Sequence, residues 1–221
     1  PLIPPLWFLP DGDEMPIEII NVPQRSEEWY RARMGLPTAS MFGVVMAQGR
    51  ERGTDSKGRA SYMRKLAGEI ITGIPMESYT NEDMERGAQQ EPEILARYCF
   101  ENDVEVTPCG FIKNGKKGCS PDGLIGADGM VQIKSAAPHV MIEILMDLHK
   151  GAPKKHLPQC MGELWVAERS WTDLVIGSSP KLPLAVFHLE RDQNFINDIE
   201  TSVHWFNRDL AEMVKTIERL S

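Results

Sequence analysis

A chain of 221 residues and 24.9 kDa, 42% hydrophobic and 25% charged, carries enough apolar surface to bury one α/β core. Its net charge of −8 and pI near 5.2 argue against a protein that coats nucleic acid regardless of sequence, which would be basic. No apolar run approaches the ~20 residues of a membrane span. The apolar start, Pro1 to Pro10, is broken by prolines and lacks the basic n-region of a secretory signal, and Met15 is an alternative native start.

Residues 1–23 read as an N-terminal extension and 24–221 as a single domain, without internal repeat. Ser26 caps a short helix to Arg33, with Glu27 and Glu28 in its first turn, and Gly35-Leu36-Pro37 ends it. Thr38 caps the next helix, Ala39 to Ala47. Residues 48–59 form a polar loop whose Arg50, Arg52 and Lys57 are placed to follow a DNA backbone or to remain simply solvated. Ala60 to Ile71 is an amphipathic helix closed by Thr72-Gly73-Ile74-Pro75. Glu82 to Glu101 is a longer one with Ile94, Leu95 and Tyr98 on its core face. Strands follow at Val104–Thr107 and Gly110–Lys113. A hairpin then runs from Cys119–Ile125 through Ala127-Asp128-Gly129, where Asp-Gly supplies positive φ, to Met130–Ser135. Helices at Ala137–Leu148 and Leu157–Arg169, strands at Trp171–Ile176 and Leu184–Leu189, and a helix from Asp192 to Leu220 complete an α/β fold, a central mixed sheet flanked by helices.

The hairpin concentrates the chemistry. Residues two apart on a strand share a face, so Gln132 and Lys134 project together, opposite Val131 and Ile133, and Asp122 on the first strand can join them. Phosphodiester hydrolysis would use such a set, with Asp122 on a hard divalent cation and Lys134 near the attacking water. Taken alone, Pro121-Asp122-Gly123 is an ordinary turn signature and Lys134 an ordinary surface lysine. Glu91 and Glu93 lie about 200° apart on a regular helix, so one of them at most faces a given ion unless Pro92 disturbs the helix. Cys99, Cys109, Cys119 and Cys160 form no C-x-x-C pair, which predicts reduced thiols, a cytoplasmic protein and no iron–sulfur cluster. His139, His149, His156, His188 and His204 lack zinc-ligand spacing.

Asp122, position 132 and Lys134 resemble the D…(D/E)-x-K nuclease signature, with Gln132 where a carboxylate is expected. Arg31-Ala32-Arg33-Met34-Gly35-Leu36-Pro37-Thr38-Ala39-Ser40, Gly87-Ala88-Gln89-Gln90-Glu91, Ser120-Pro121-Asp122-Gly123 and Gln159 follow one another as in the phage lambda exonuclease and YqaJ-like viral recombinase family. The chain resembles that family from about Gln24 to its C-terminus. The resemblance implies a restriction-endonuclease-like core and a Mg²⁺-dependent 5′→3′ exonuclease. Such an enzyme acts on duplex DNA, releases 5′-mononucleotides and leaves 3′ overhangs for recombination by strand annealing.

By the same resemblance, Glu91, Asp122, Gln132 and the Ile133 carbonyl hold a pair of Mg²⁺ ions, with Mn²⁺ as an alternative. Lys134 orients or helps deprotonate the water, and Gln159 stands near that water or the substrate strand. Arg33 and Ser40, with Ser120, hold the terminal 5′-phosphate; Arg31 is the nearest competitor of Arg33. Met84, three residues before Gly87, wedges the terminal base pair. A ring-shaped homotrimer, a single-strand annealing partner and the bacterial host cytoplasm complete the picture. Two alternatives stand beside it: a non-catalytic DNA-end binding module, favoured by Gln132, and a structure-specific or restriction-type endonuclease, disfavoured by Arg33 with Ser40. Gln132 keeps a carbonyl oxygen but lacks the charge that two close divalent ions need. The chain is therefore expected to fold, assemble and bind DNA ends but cleave slowly or not at all, and an engineered Glu→Gln exchange is preferred over natural loss.

Overall fold

The computed structural model describes residues 16–49, 55–76 and 82–220, with residues 82–88 as backbone alone. Strands Glu18–Ile20 (β1), Phe111–Asn114 (β2) and Lys117–Cys119 (β3) form an antiparallel sheet in that order. Strands Gly123–Ile125 (β4), Gly129–Ser135 (β5), Trp171–Gly177 (β6) and Ala185–Glu190 (β7) form a mixed sheet in which β5 and β6 run parallel. The helices are Glu27–Arg33 (α1), Phe42–Val45 (α2), Lys57–Thr72 (α3), Glu82–Asn102 (α4), Pro138–Met146 (α5), Leu157–Ala167 (α6) and Gln193–Glu218 (α7). The helix-flanked mixed sheet matches the sequence reading, and the smaller antiparallel sheet is added to it.

The core forms where apolar periodicity predicts. Phe42, Leu66, Leu164 and Phe206 bring α2, α3, α6 and α7 together. On the other side of β5, Ile94 and Tyr98 of α4 pack on Val131, Ile133 and Val175. The crossover from β5 to β6 runs through α5 and α6, so α6 lies beside both the mixed sheet and the small one. All four cysteines are unpaired. No described helix is long and apolar enough to cross a membrane.

Several elements differ from the sequence reading, each for a local reason. The strand expected over Cys119–Ile125 is two strands in two sheets. Pro121 has no N–H for a ladder, and Ser120-Pro121-Asp122 carries the chain from β3 to β4. Gly123 admits the close approach of residue 106, since a Cβ there would lie 2.1 Å from Val106 Cγ1. The hairpin's positive φ falls at Gly126, at 53°, and Gly129 is already the first residue of β5. Val104–Thr107 forms no strand: Thr107 makes an isolated bridge to Leu124, and Pro108 has no N–H to continue it. β1 lies inside the stretch read as an extension and pairs with β2, so the ordered domain starts before Gln24. The helix expected from Ala39 to Ala47 is a 3₁₀ turn, Ala39–Met41, followed by the four-residue α2. Lys57 belongs to α3, which Ser56 caps by accepting the Arg59 N–H, rather than to the preceding loop.

Candidate active site

The site forms at an open stretch of one strand edge. β4 pairs with β5 only as far as Val131, because Pro121 cannot carry the ladder on. Beyond it the Ile133 N–H would be orphaned, and the Asp122 carboxylate takes its place as partner, with Oδ2 accepting that N–H at 2.6 Å. The Gln132 carboxamide donates to the same Oδ2 and, at 3.3 Å, to the Ile133 carbonyl. Asp122 and Gln132 are thus locked together, and the Ile133 carbonyl is left with a weak partner. Burial pushes the Asp122 carboxyl up to about 6, against the opposing pull of Lys134 and of the Ile133 N–H. Glu91 adds to the rise and Arg25 counters it.

Gln159 approaches from α6. Its carboxamide nitrogen donates to Gln132 Oε1 at 2.9 Å and to Glu163 Oε1 at 2.8 Å. Residues four apart on a helix share a face, which is how α6 presents both side chains to the site. Glu163 is 1% exposed, and its Oε2 has no hydrogen-bond partner. Burial pushes its carboxyl up to about 8, while Gln159 and Lys134 hold it down. Lys134 itself has no hydrogen-bond or ion-pair partner among the described residues, and its ammonium is felt at Asp122, Glu163 and His156.

Glu91, Asp122 and Ile133 line one cavity of about 670 Å³, together with Gln24, Arg25 and Leu95. Glu91 is held by Arg25 at 3.3 Å, and Glu93 is exposed. Gln90 fastens the same turn of α4 to β5 by accepting the Ser135 hydroxyl at 2.5 Å. Gln24 donates to the Cys109 and Pro121 carbonyls, each at 2.9 Å, and so fixes the chain beside Asp122. The donor set is carboxylate and carbonyl oxygen, which suits a hard divalent cation. Glu91, Asp122 and Ile133 line the same cavity. Among the described residues, however, no three His, Cys, Asp or Glu side chains are grouped to hold a metal. The third carboxylate is missing at position 132, where an amide donates to Asp122 instead.

Arg33 lies in a second cluster. Its guanidinium stacks 4.0 Å over the Trp29 ring, donates to Thr38 Oγ1 at 3.2 Å and meets no carboxylate in an ion pair among the described residues. Burial lowers its pKa, against the pull of Tyr62 and Glu69, and an arginine stays charged regardless. Arg31, by contrast, is exposed and paired with Glu27 at 2.6 Å. Thr38 Oγ1 and Ser40 Oγ are 3.4 Å apart. Ser40 therefore stands beside Arg33, but in a 3₁₀ turn rather than at the start of a long helix, so the expected dipole contribution is small. Trp29 Nε1 donates to Ser120 Oγ at 2.9 Å and to the Gly110 carbonyl at 3.2 Å, tying this cluster to the segment that carries Asp122.

Of the other sequence candidates, Lys57 is exposed at the start of α3. Arg50 and Arg52 lie outside the described residues. Met84 lies in α4, but its side chain is outside the described set. Sequence reasoning missed Arg25, Gln24, Glu69, His156 and Glu163. Arg25 has a left-handed backbone, φ 69°, a conformation uncommon for a non-glycine. Glu69 accepts the Gly35 and Met76 N–H groups and so fixes the turn after Arg33. Burial, with Lys134 and Lys155, pushes the His156 imidazole down to about 4. The signal available for Glu163 was a lone acid among Cys160, Met161, Gly162 and Leu164 in a mostly apolar helix.

A family model of the YqaJ-like viral recombinase domain matches residues 28–170. The structure is similar to that of an alkaline exonuclease, LHK-Exo, from Laribacter hongkongensis, with a TM-score of 0.77 and 30% identity over 88% of this chain and 97% of that one. LHK-Exo in complex with dAMP gives a TM-score of 0.77 and 31% identity at the same coverage. A phage-related exonuclease from Haemophilus somnus has a TM-score of 0.65 at 11% identity, over 82% of this chain and 96% of that one, a likeness of fold alone. No curated protein sequence matches the chain. These relationships support a nuclease built on a restriction-endonuclease-like core.

Proposed function

Because the chain belongs to the YqaJ-like viral recombinase domain family, we propose that it is a metal-dependent 5′→3′ exonuclease of duplex DNA ends, weakened by Gln132. It releases 5′-mononucleotides and leaves 3′ overhangs for strand annealing. One observation carries the reading: at the open edge of β5, Asp122, the Ile133 carbonyl and Lys134 come together beside the cavity that Glu91 lines.

Glu91, Asp122, the Ile133 carbonyl and, once its carboxamide releases Asp122 and turns its oxygen inward, Gln132 would hold a pair of Mg²⁺ ions, or Mn²⁺ in their place. Bound there, the metal supplies a water of lowered pKa and positive charge for the phosphate oxygens. Lys134 adds a positive charge where negative charge develops on the scissile phosphate. Gln159 presents its donors to position 132 and so fixes the wall opposite Asp122. Arg33, with Thr38 and Ser40 beside it, offers a planar fork of donors to a terminal 5′-phosphate. The Trp29 link to Ser120 holds that phosphate site in register with the cleavage site.

Gln132 weakens this machinery. Its amide donates to Asp122, and the charge that would offset two close cations is absent. Encirclement of DNA by a homotrimer would account for grip on the substrate by a chain of net charge −8. A single-strand annealing protein is the proposed partner and the bacterial cytoplasm the proposed location. The second reading, an end-binding module without catalysis, rests on the Gln132–Asp122 hydrogen bond.

Three DNA substrates separate the readings, each given to the chain and to its Gln132→Glu form with Mg²⁺. An exonuclease degrades linear duplex with 5′-phosphate ends faster than duplex with 5′-hydroxyl ends and leaves closed circles intact. Cut circles would establish an endonuclease instead. Binding of ends with no cleavage by either form would establish the binding module.

A further inference from the structure

Glu163 is buried to 1% exposure beside the site, and one of its two oxygens is left without a partner. A half-satisfied buried carboxyl costs stability that an apolar side chain of similar size would not. Its fixed contact is with Gln159. The carboxamide of Gln159 has two N–H bonds, and both are engaged: one to Glu163 Oε1 at 2.8 Å, the other to Gln132 Oε1 at 2.9 Å. A glutamine amide turned end for end has almost the same shape but exchanges donors for an acceptor. With Glu163 Oε1 accepting behind it, the Gln159 amide has its N–H₂ end placed between positions 163 and 132. The arrangement continues from Gln132 to Asp122. A deeply buried group on α6 is thereby connected to the metal-ligand candidates on the strand edge through directed hydrogen bonds.

We propose that Glu163 is a positioning residue: it fixes the Gln159 carboxamide with its donors toward position 132 and through it orients the side chain that completes the cation site. The inference rests on the nuclease reading for the role of the cation, and on the hydrogen bonds alone for the geometry. Glu163 touches neither metal nor substrate in this role.

The test compares Glu163→Leu and Glu163→Gln with their parent, both in the chain as it stands and in its Gln132→Glu form. Thermal melting reports the fold, Mn²⁺ titration calorimetry reports the cation site, and nucleotide release by the Gln132→Glu forms gives kcat and KM separately. Glu163→Leu is expected to melt close to the parent, since the unsatisfied Oε2 is removed but one Gln159 N–H loses its acceptor. It should nevertheless bind Mn²⁺ more weakly, by up to about tenfold, the low end of the loss when a direct outer partner of a metal ligand is removed, because Glu163 acts one hydrogen bond further out through Gln159. Its kcat should fall while KM for DNA ends holds. Glu163→Gln keeps an acceptor oxygen for Gln159 and should recover most of both.

Unchanged Mn²⁺ affinity in Glu163→Leu would overturn the proposal, because the carboxyl would then position nothing. Melting well below the parent would overturn it too, because the carboxyl would then be structural. A parent that binds no Mn²⁺ in either form also overturns it. If the Gln132→Glu parent binds Mn²⁺ but cuts no DNA, the nuclease reading fails, and the Mn²⁺ titration still decides the role of Glu163.

Discussion

The two polar clusters that Trp29 and Ser120 connect differ in how much of their bonding capacity the protein itself satisfies. Around Gln132, a row of side chains is answered from within: Asp122 by the Ile133 N–H and the Gln132 amide, Gln132 by Gln159, Gln159 by Glu163. Around Arg33, a guanidinium stacked on an indole reaches a threonine hydroxyl and no carboxylate among the described residues. The open cluster is left ready for an anion from outside. The closed one is closed by an amide, whose hydrogen bond to Asp122 would compete with the proposed cation for that carboxylate.

The sharpest way to break this contrast is at Asp122. In the Gln132→Glu form, Asp122→Ala should reduce mononucleotide release by at least about a thousandfold, some 4 kcal/mol, because it removes a metal ligand outright. The orphaned Ile133 N–H should lower stability by about 1–3 kcal/mol as well, which urea denaturation would show. Cleavage surviving at a tenth of the parent rate would mean that Asp122 holds no essential ion.

In the open cluster, Arg33→Ala should cost about 1.5–3 kcal/mol of the preference for 5′-phosphorylated over 5′-hydroxyl ends, the range for hydrogen bonds to a charged group. Competition between the two ends in one digestion measures it. An unmutated, cleaving protein that uses both ends equally would sink the assignment of Arg33.

The clusters should also differ in their response to pH. Asp122 is pushed up to about 6 and Glu163 to about 8 by burial, and together they outweigh the opposing His156, held down at about 4, so between roughly pH 4 and 8 the folded state binds more protons than the unfolded chain. Stability without metal should therefore fall as pH rises through that window, and Glu163→Leu should flatten the upper part of the fall. Urea midpoints in chelator at pH 5 and pH 8 give the sign, and a higher midpoint at pH 8 in both proteins would contradict it. The smallest effect belongs to Arg25, which is half exposed where it meets Glu91: Arg25→Ala should change stability by under ~1 kcal/mol, and a larger loss would mean the pair is more than a surface contact.

Much of the site was legible because strand alternation is strict. Once β5 was placed, Gln132 and Lys134 had to share one face and Val131 and Ile133 the other, where they pack on Ile94 and Tyr98. Arg33 could be separated from Arg31 only by the motif, and the structure gives the physical difference: Arg31 pairs with Glu27 one turn back, while Arg33 turns over Trp29. The break in the first hairpin strand was less legible, although Pro121 carried the signal, since a proline inside a strand pattern stops the ladder there. Arg25, Gln24 and Glu163 act across 66, 97 and four residues of sequence respectively. Periodicity says nothing about the first two, and it placed Glu163 on a helix without showing that its neighbours would bury it.

Under the proposed function, position 132 decides whether this chain cuts DNA. Two unit charges about 4 Å apart at an effective dielectric near 20 interact by about 4 kcal/mol, so restoring the carboxylate should matter by orders of magnitude. The direct measurement is Mg²⁺-dependent release of mononucleotides from linear 5′-phosphorylated duplex by the chain as it stands and by Gln132→Glu. The account predicts little or no release by the first and an increase of roughly a hundred- to a thousandfold in the second. Vigorous release with Gln132 in place, unchanged by the glutamate, would contradict it.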